Sequence, residues 1–264
     1  MLVDSHCHLD LLDLSEFDDN LDKVMQEIKK AGITKLLCVA VNLQDFPNIL
    51  KIKETYDWID ISVGVHPNED YNVDLNQEHE TILKLAKENL DNNLVAIGET
   101  GLDFFRTEKS FIVQQKTRLE NHIECAKQVN RPLIIHTRAA NDMAVDILRS
   151  NSAYDVGGVM HCFTENWDIA KKALDIDFYI SFSGIVSFKN AVELQDVARK
   201  VPLDKLLIET DFPYLAPVPK RGKPNYPHYV KYVAEKIAEL KNISYDEVLN
   251  ISHNNYMNLF NRQR

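Results

Sequence analysis

No run of apolar residues in this 264-residue sequence approaches the ~20 needed to cross a membrane. The opening Met1-Leu2-Val3-Asp4 has neither the basic stretch nor the apolar core of a secretory signal. Both absences point to a soluble, cytoplasmic chain. Cysteine is scarce and scattered: Cys7, Cys38, Cys125 and Cys162 form no paired spacing, which argues against a disulfide framework or a structural zinc knuckle. Strand alternation turns Cys7 and Cys162 away from their neighbours, toward packing. Low-complexity tracts, linkers and a second zone of composition are also lacking, so residues 1–264 read as one domain. Positive charge is short as well. With 30 Lys and Arg against 40 Asp and Glu the net charge is -10, which speaks against a broad, sequence-independent grip on nucleic acid. A phosphate-bearing substrate stays open, because two bound divalent cations would add about four positive charges at one spot. Nothing in the sequence marks an obligate protein partner.

What is present is a 45% apolar chain with a repeating rhythm. Strand-like runs bounded by turn residues recur at Leu2 to His8, Lys35 to Val41, Ile59 to His66, Leu94 to Glu99, Pro132 to His136, Gly157 to His161, Phe178 to Ser183 and Leu206 to Asp211. Between them lie segments of helical spacing, such as Leu21, Val24, Met25 and Ile28, or Leu119, Ile123 and Ala126. Alternating strand and helix demands parallel strands joined by crossovers, and eight such units in roughly 250 residues predict a (β/α)₈ TIM barrel. A last helix begins at the capping-box sequence Ser244-Tyr245-Asp246-Glu247 and covers an outer or bottom face. Pro213 to Pro227 carries five prolines, which rule out a regular helix, and the basic trio Lys220, Arg221 and Lys223.

Residues that bind metals stand where such a barrel keeps its chemistry, at the C-terminal ends of strands. His6 and His8 are two apart and face one way, roughly 6.6 Å from each other along a strand. Glu99, His136, His161 and Asp211 each close another apolar run. Glu99 is expected to bridge two divalent ions, one held by His6, His8, Glu99 and Asp211, the other by Glu99, His136 and His161. Two metals about 3.5–4 Å apart clamp the attacking and leaving oxygens of a displacement. Mixed imidazole and carboxylate ligation admits magnesium, manganese, zinc or nickel. Asp211 is the candidate general base. Glu209 shares its parity one layer deeper and supports a ligand. His66, closing Val63-Gly64-Val65, orients a phosphate or leaving group, and Arg106, Arg138, Lys220, Arg221 and Lys223 are candidate phosphate contacts. His79, His122, His228 and His253 fall in helices or loops and are expected to be structural or exposed.

The motifs Asp4 to His8, Gly98-Glu99-Thr100-Gly101-Leu102-Asp103, His136-Thr137-Arg138, His161-Cys162-Phe163-Thr164, Glu209-Thr210-Asp211-Phe212-Pro213 and Arg221-Gly222-Lys223-Pro224-Asn225 together resemble the TatD family of metal-dependent hydrolases, within the amidohydrolase barrels. The resemblance runs the full length. It implies a TIM barrel, a divalent metal site at the residues above, and deoxyribonuclease activity on ester bonds of DNA. Tyr226 stands where the family usually has glutamate, and Asn258 where arginine is usual. The charge balance directs this activity to single-stranded ends. The same ligand set would serve another ester or amide, such as an aminoacyl-tRNA linkage, and a barrel that only stores metal would leave it idle.

Overall fold

The computed structural model describes residues 1–18, 20–140 and 142–261. Its strands are β1 Leu2–Cys7, β2 Ile33–Cys38, β3 Ile59–Val63, β4 Leu94–Asp103, β5 Leu133–Arg138, β6 Gly158–Met160, β7 Tyr179–Phe182 and β8 Leu206–Ile208. Helices follow in alternation: α1 Leu21–Lys30, α2 Phe46–Thr55, α3 Leu75–Glu88, α4 Ile112–Val129, α5 Met143–Ser150, α6 Trp167–Leu174, α7 Val192–Lys200 and α8 Val230–Lys241, with α9 Tyr245–Phe260 added after them. Every strand pairs in parallel with the next, in chain order β1 to β8. The seam between β8 and β1 is closed just beyond the strand ends. There Asp211 donates its N–H to the His6 carbonyl (3.1 Å) and His8 donates to the Phe212 carbonyl (3.0 Å). Asp4 adds a side-chain stitch, its Oδ1 accepting the Thr210 N–H at 2.9 Å.

Local chemistry explains the helix starts. Asn20 caps α1 by accepting from Asp22, Asp74 caps α3 through Asn76 and Gln77, and Ser244 with Glu247 forms the expected capping box of α9. Each helix lays an apolar stripe on the sheet, as Val24, Met25 and Ile28 do in α1. Side chains sort into two cores. Leu36, Ile61, Ile97, Leu133 and Ile180 face outward against the helices, together with Cys7. Val3, Leu37, Ala96, Ile134, Val159, Tyr179 and Leu207 fill the barrel, where Tyr256, Leu259 and Phe260 of α9 plug the end at which the strands begin. At that end Asp60 accepts from the Tyr256 hydroxyl and from Lys35 Nζ, both at 2.7 Å. The expected covering of a bottom face is thus a plug that satisfies a buried carboxylate, and it leaves the opposite mouth open.

Strand ends differ from the apolar runs. β4 continues four residues past Glu99 and β5 two past His136, whereas β6 stops before His161 and β8 before Asp211. The reason is backbone geometry: Cys162 (φ 42°) and Asp211 (φ 55°) are in the left-handed region, which ends a strand whatever its hydropathy. No helix among the described residues is long and apolar enough to cross a membrane.

Candidate metal centre

Strand β1 delivers the first two imidazoles. Its register shifts between Asp4 and Cys7, so His6 joins His8 at the mouth while Cys7 packs outward. Their Nε2 atoms are 3.2 Å apart. His8 Nδ1 is 2.8 Å from the Val39 carbonyl, which can only accept, so Nδ1 carries a proton and Nε2 is the nitrogen turned inward, toward a cation. Glu99 divides its two oxygens. Oε2 faces His6 Nε2 (3.2 Å) and His8 Nε2 (3.7 Å). Oε1 faces His161 Nε2 (2.8 Å), His136 Nδ1 (3.1 Å) and His66 Nε2 (3.5 Å). Asp211 Oδ1 lies 3.8 Å from His6 and 3.7 Å from His8.

The donor set suits divalent cations. Burial alone would push the Glu99 carboxyl up, yet His161, His66 and His136 outweigh it and hold Glu99 well below the usual range. Burial likewise opposes Asp211, and the His8 bond with the charges of His161 and His6 overcomes it. The reciprocal effect appears on His8: burial disfavours its charge, but Asp211 and Glu99 raise it to about 9. Two ionised carboxylates thus draw positive charge into a buried cluster, and His6 Nδ1 is buried there without a partner. Cations would replace the protons on His8, His136 and His161, so uptake releases protons.

The structure brings His6, His8, Glu99, His136, His161 and Asp211 to one spot, with His66 beside them. Three trios of ligand atoms lie within 4.8 Å of one another: His6, His8 and Glu99; His6, His161 and Asp211; His66, Glu99 and His136. Glu99 Oε1 stands between His161 and His136, the pair expected to share an ion, and His161 also stacks on His6, ring centres 3.9 Å apart. It lies past the end of β6, where the Cys162 N–H is tied to Glu209 Oε1 at 2.6 Å. Glu209 is buried behind the ligands, Oε1 3.4 Å from His161 Nδ1.

Asp103 is a site residue that the sequence reading named only within a motif. Its Oδ2 is 3.3 Å from His136 Nε2 and accepts from Asn68 Nδ2 at 2.8 Å, while Oδ1 accepts the N–H groups of Phe105 and Arg106, both at 2.9 Å. Burial works against its charge, but His136 and these donors hold the carboxyl below its ordinary value. Glu99, Gly101 and Asp103 alternate along β4, and that period-two parity was the available signal. At Gly101 (φ 144°) a Cβ would sit 2.0 Å from the His136 carbonyl oxygen, so only glycine lets β4 run this close to the ligand strand. Helix α4 secures the loop that bears His66. Gln115 Nε2 donates to the Pro67 carbonyl (2.9 Å), buried Arg118 pairs with Glu78 and donates to the Asp70 carbonyl (2.8 Å), and His122 Nε2 accepts the Val65 N–H (3.0 Å). His66 itself accepts from the Asn68 N–H at 3.1 Å.

The five candidate phosphate contacts stand outside this cluster. Arg106 and Lys223 are exposed; the Arg138 guanidinium lies 4.1 Å from the Phe105 ring centre, Arg221 4.3 Å from Phe188, and Lys220 Nζ 5.3 Å from Tyr229. Tyr226 is buried, its hydroxyl donating to Glu16 at 2.7 Å, and Asn258 is on the exposed side of α9.

Residues 3–261 match the family model described as TatD related DNase. The chain belongs to that family. It is 44% identical over 262 residues to the uncharacterized metal-dependent hydrolase YcfH of Escherichia coli K12, covering 98% of this chain and 95% of the relative. To YabD of Bacillus subtilis, named in the same words, it is 41% identical over 261 residues, with 98% and 99% covered. Among solved structures, YJJV, a TatD homolog from Escherichia coli K12, superposes with a TM-score of 0.90 at 27% identity, covering 98% of both chains. A TatD-family hydrolase from Entamoeba histolytica shares the fold, with a TM-score of 0.83 at 23% identity and 98% and 97% covered. This TatD-family chain is a metal-dependent hydrolase, and the eight-stranded barrel read from its sequence is the fold it has.

Proposed function

We propose that this chain hydrolyses phosphodiester bonds of DNA at single-stranded ends. The observation that carries the proposal is Glu99, whose two oxygens face separate imidazole sets beside the partly exposed side chains of His66, His136 and Asp211. His6, His8, Glu99 and Asp211 would hold one ion, and Glu99, His136 and His161 a second. Bound divalent cations supply Lewis-acid polarisation of a phosphoryl oxygen and lower the pKa of water. The chain's own groups do the remainder. Asp211, held ionised and with its side chain 14% exposed, accepts the proton of the attacking water and returns it to the leaving oxygen. Glu209 and Asp103 fix the ring planes of His161 and His136. His66 orients a non-bridging phosphate oxygen.

Charge decides how the strand is held. A net charge of -10 repels a long polyanion except at the metals and at Lys220, Arg221 and Lys223, so few phosphates are engaged and binding weakens by only about 0.7 log units per contact for each tenfold rise in salt. The test restores each divalent ion in turn to metal-depleted protein and follows end-labelled single strands, closed circular duplex, RNA and aminoacyl-tRNA. Shortening of single strands from an end, with circles intact, is expected. Circles cut as fast as single strands, or cleavage of the aminoacyl ester alone, would overturn the proposal.

A further inference from the structure

Phe105 is 68% exposed, directly after the strand that carries Glu99 and Asp103. Its position is nevertheless fixed. The Phe104 N–H donates to the Arg138 carbonyl at 2.9 Å, extending the β4–β5 pairing, and the Phe105 N–H is bound to Asp103, the carboxylate that also contacts the ligand His136. The Arg138 guanidinium lies 4.1 Å from the ring centre, so one face is covered by a cation and most of the ring is open. Phe188 and Tyr229, which also carry cations, are only partly exposed. Tyr214, 57% exposed beyond β8, has no cation on its ring among the described residues.

We infer that Phe105, backed by Arg138, is the stacking platform for the nucleobase next to the scissile phosphate; the inference rests on the nuclease reading above. Every base offers a π face, so an aromatic platform grips a strand without choosing its sequence, and a guanidinium behind the ring adds a cation–π contact. An acidic chain gains from this, because stacking supplies affinity that phosphate contacts cannot. A duplex base is already stacked on its neighbours, whereas an unpaired end is free to lie on Phe105. Arg138 therefore serves the ring, in place of the phosphate contact expected of it.

The test uses the metal-loaded full chain and single strands carrying one abasic residue at either end. Wild type should hydrolyse the strand with a base at the stacking position roughly ten- to a hundredfold better, as kcat/KM, than its abasic counterpart. Phe105→Ala should bring the normal strand down to the abasic rate while the abasic strand keeps its own; Phe105→Trp should retain the preference. Before cleavage, 2-aminopurine at the same position should be quenched on rapid mixing with wild type and not with Phe105→Ala. The inference is overturned if Phe105→Ala slows normal and abasic strands alike, or if Tyr214→Ala, not Phe105→Ala, removes the preference. Turnover of methyl p-nitrophenyl phosphate with no cleavage of any strand removes the nuclease reading, and the platform with it.

Discussion

Acidification from pH 7 to pH 4.5 should cost the folded chain about 2.5 kcal/mol through His122 alone, at about 1.4 kcal/mol per pH unit. His122 is wholly buried on α4, its Nδ1 2.7 Å from the Arg118 carbonyl and its Nε2 accepting from Val65, the neighbour of His66. One proton satisfies both ring nitrogens, and a second would collide with the Val65 N–H. Burial is the main cause that pulls its pKa from 6.5 down to about 3; the bond to the Arg118 carbonyl opposes this and the Arg118 charge adds to it. The sign follows. The folded pKa lies below the unfolded one, so the stability is fully present above pH 6.5 and is lost as pH falls toward 3, because only the unfolded chain takes up the proton. His122→Gln keeps an acceptor and a donor but does not titrate. Urea unfolding of both proteins between pH 7 and pH 4.5 isolates the effect, since other groups, such as Asp4 with its pKa raised to about 8 by burial, cancel in the difference. Wild type should lose about 2.5 kcal/mol relative to the variant across that range. A gap that stays constant with pH would show that folded His122 takes up a proton as readily as the unfolded chain does.

Glu99→Ala should lose both metals, since its two oxygens serve both imidazole sets, whereas His136→Ala should empty mainly one; elemental analysis per chain decides, and two ions retained without Glu99 would refute the bridge. Asp103→Asn should weaken metal binding roughly 10- to 100-fold by releasing the His136 ring, read by competition with a chelating dye. Asp211→Asn should fold normally and lose about 10²- to 10⁴-fold in kcat, and near-native turnover at saturating metal would move the base elsewhere.

Sequence period and residue chemistry carried the reading as far as both are local. Eight apolar runs and their intervening amphipathic stripes were sufficient for the barrel, and the capping box at Ser244 located α9. His6 and His8 were readable because two histidines on one strand share a face. What stayed hidden depends on contacts between distant segments. Asp103 acquires its role only when β4 continues past Glu99 alongside β5, a register that no apolar run announces. The stacking of His161 on His6, one residue before left-handed Cys162, has no signal in the residue types. Gln115 and Arg118 look like ordinary polar positions of α4, yet both are buried and grip a loop more than forty residues earlier in the chain. Arg138, Arg221 and Lys220 were legible as charges, but their aromatic partners Phe105, Phe188 and Tyr229 were not.

Closure of the barrel between its first and last strands also sets a timetable for synthesis. His6 and His8 leave the ribosome early, whereas Asp211 and the Thr210 that Asp4 binds come about two hundred residues later, roughly 10 to 40 s at 5–20 residues per second. Through that interval the nascent chain displays His6 and His8 without Asp211. Any product that stops short of β8 lacks the seam and Asp211 together, so occupancy of the ion held by His6, His8, Glu99 and Asp211 reports whether a molecule was translated past Asp211 and closed.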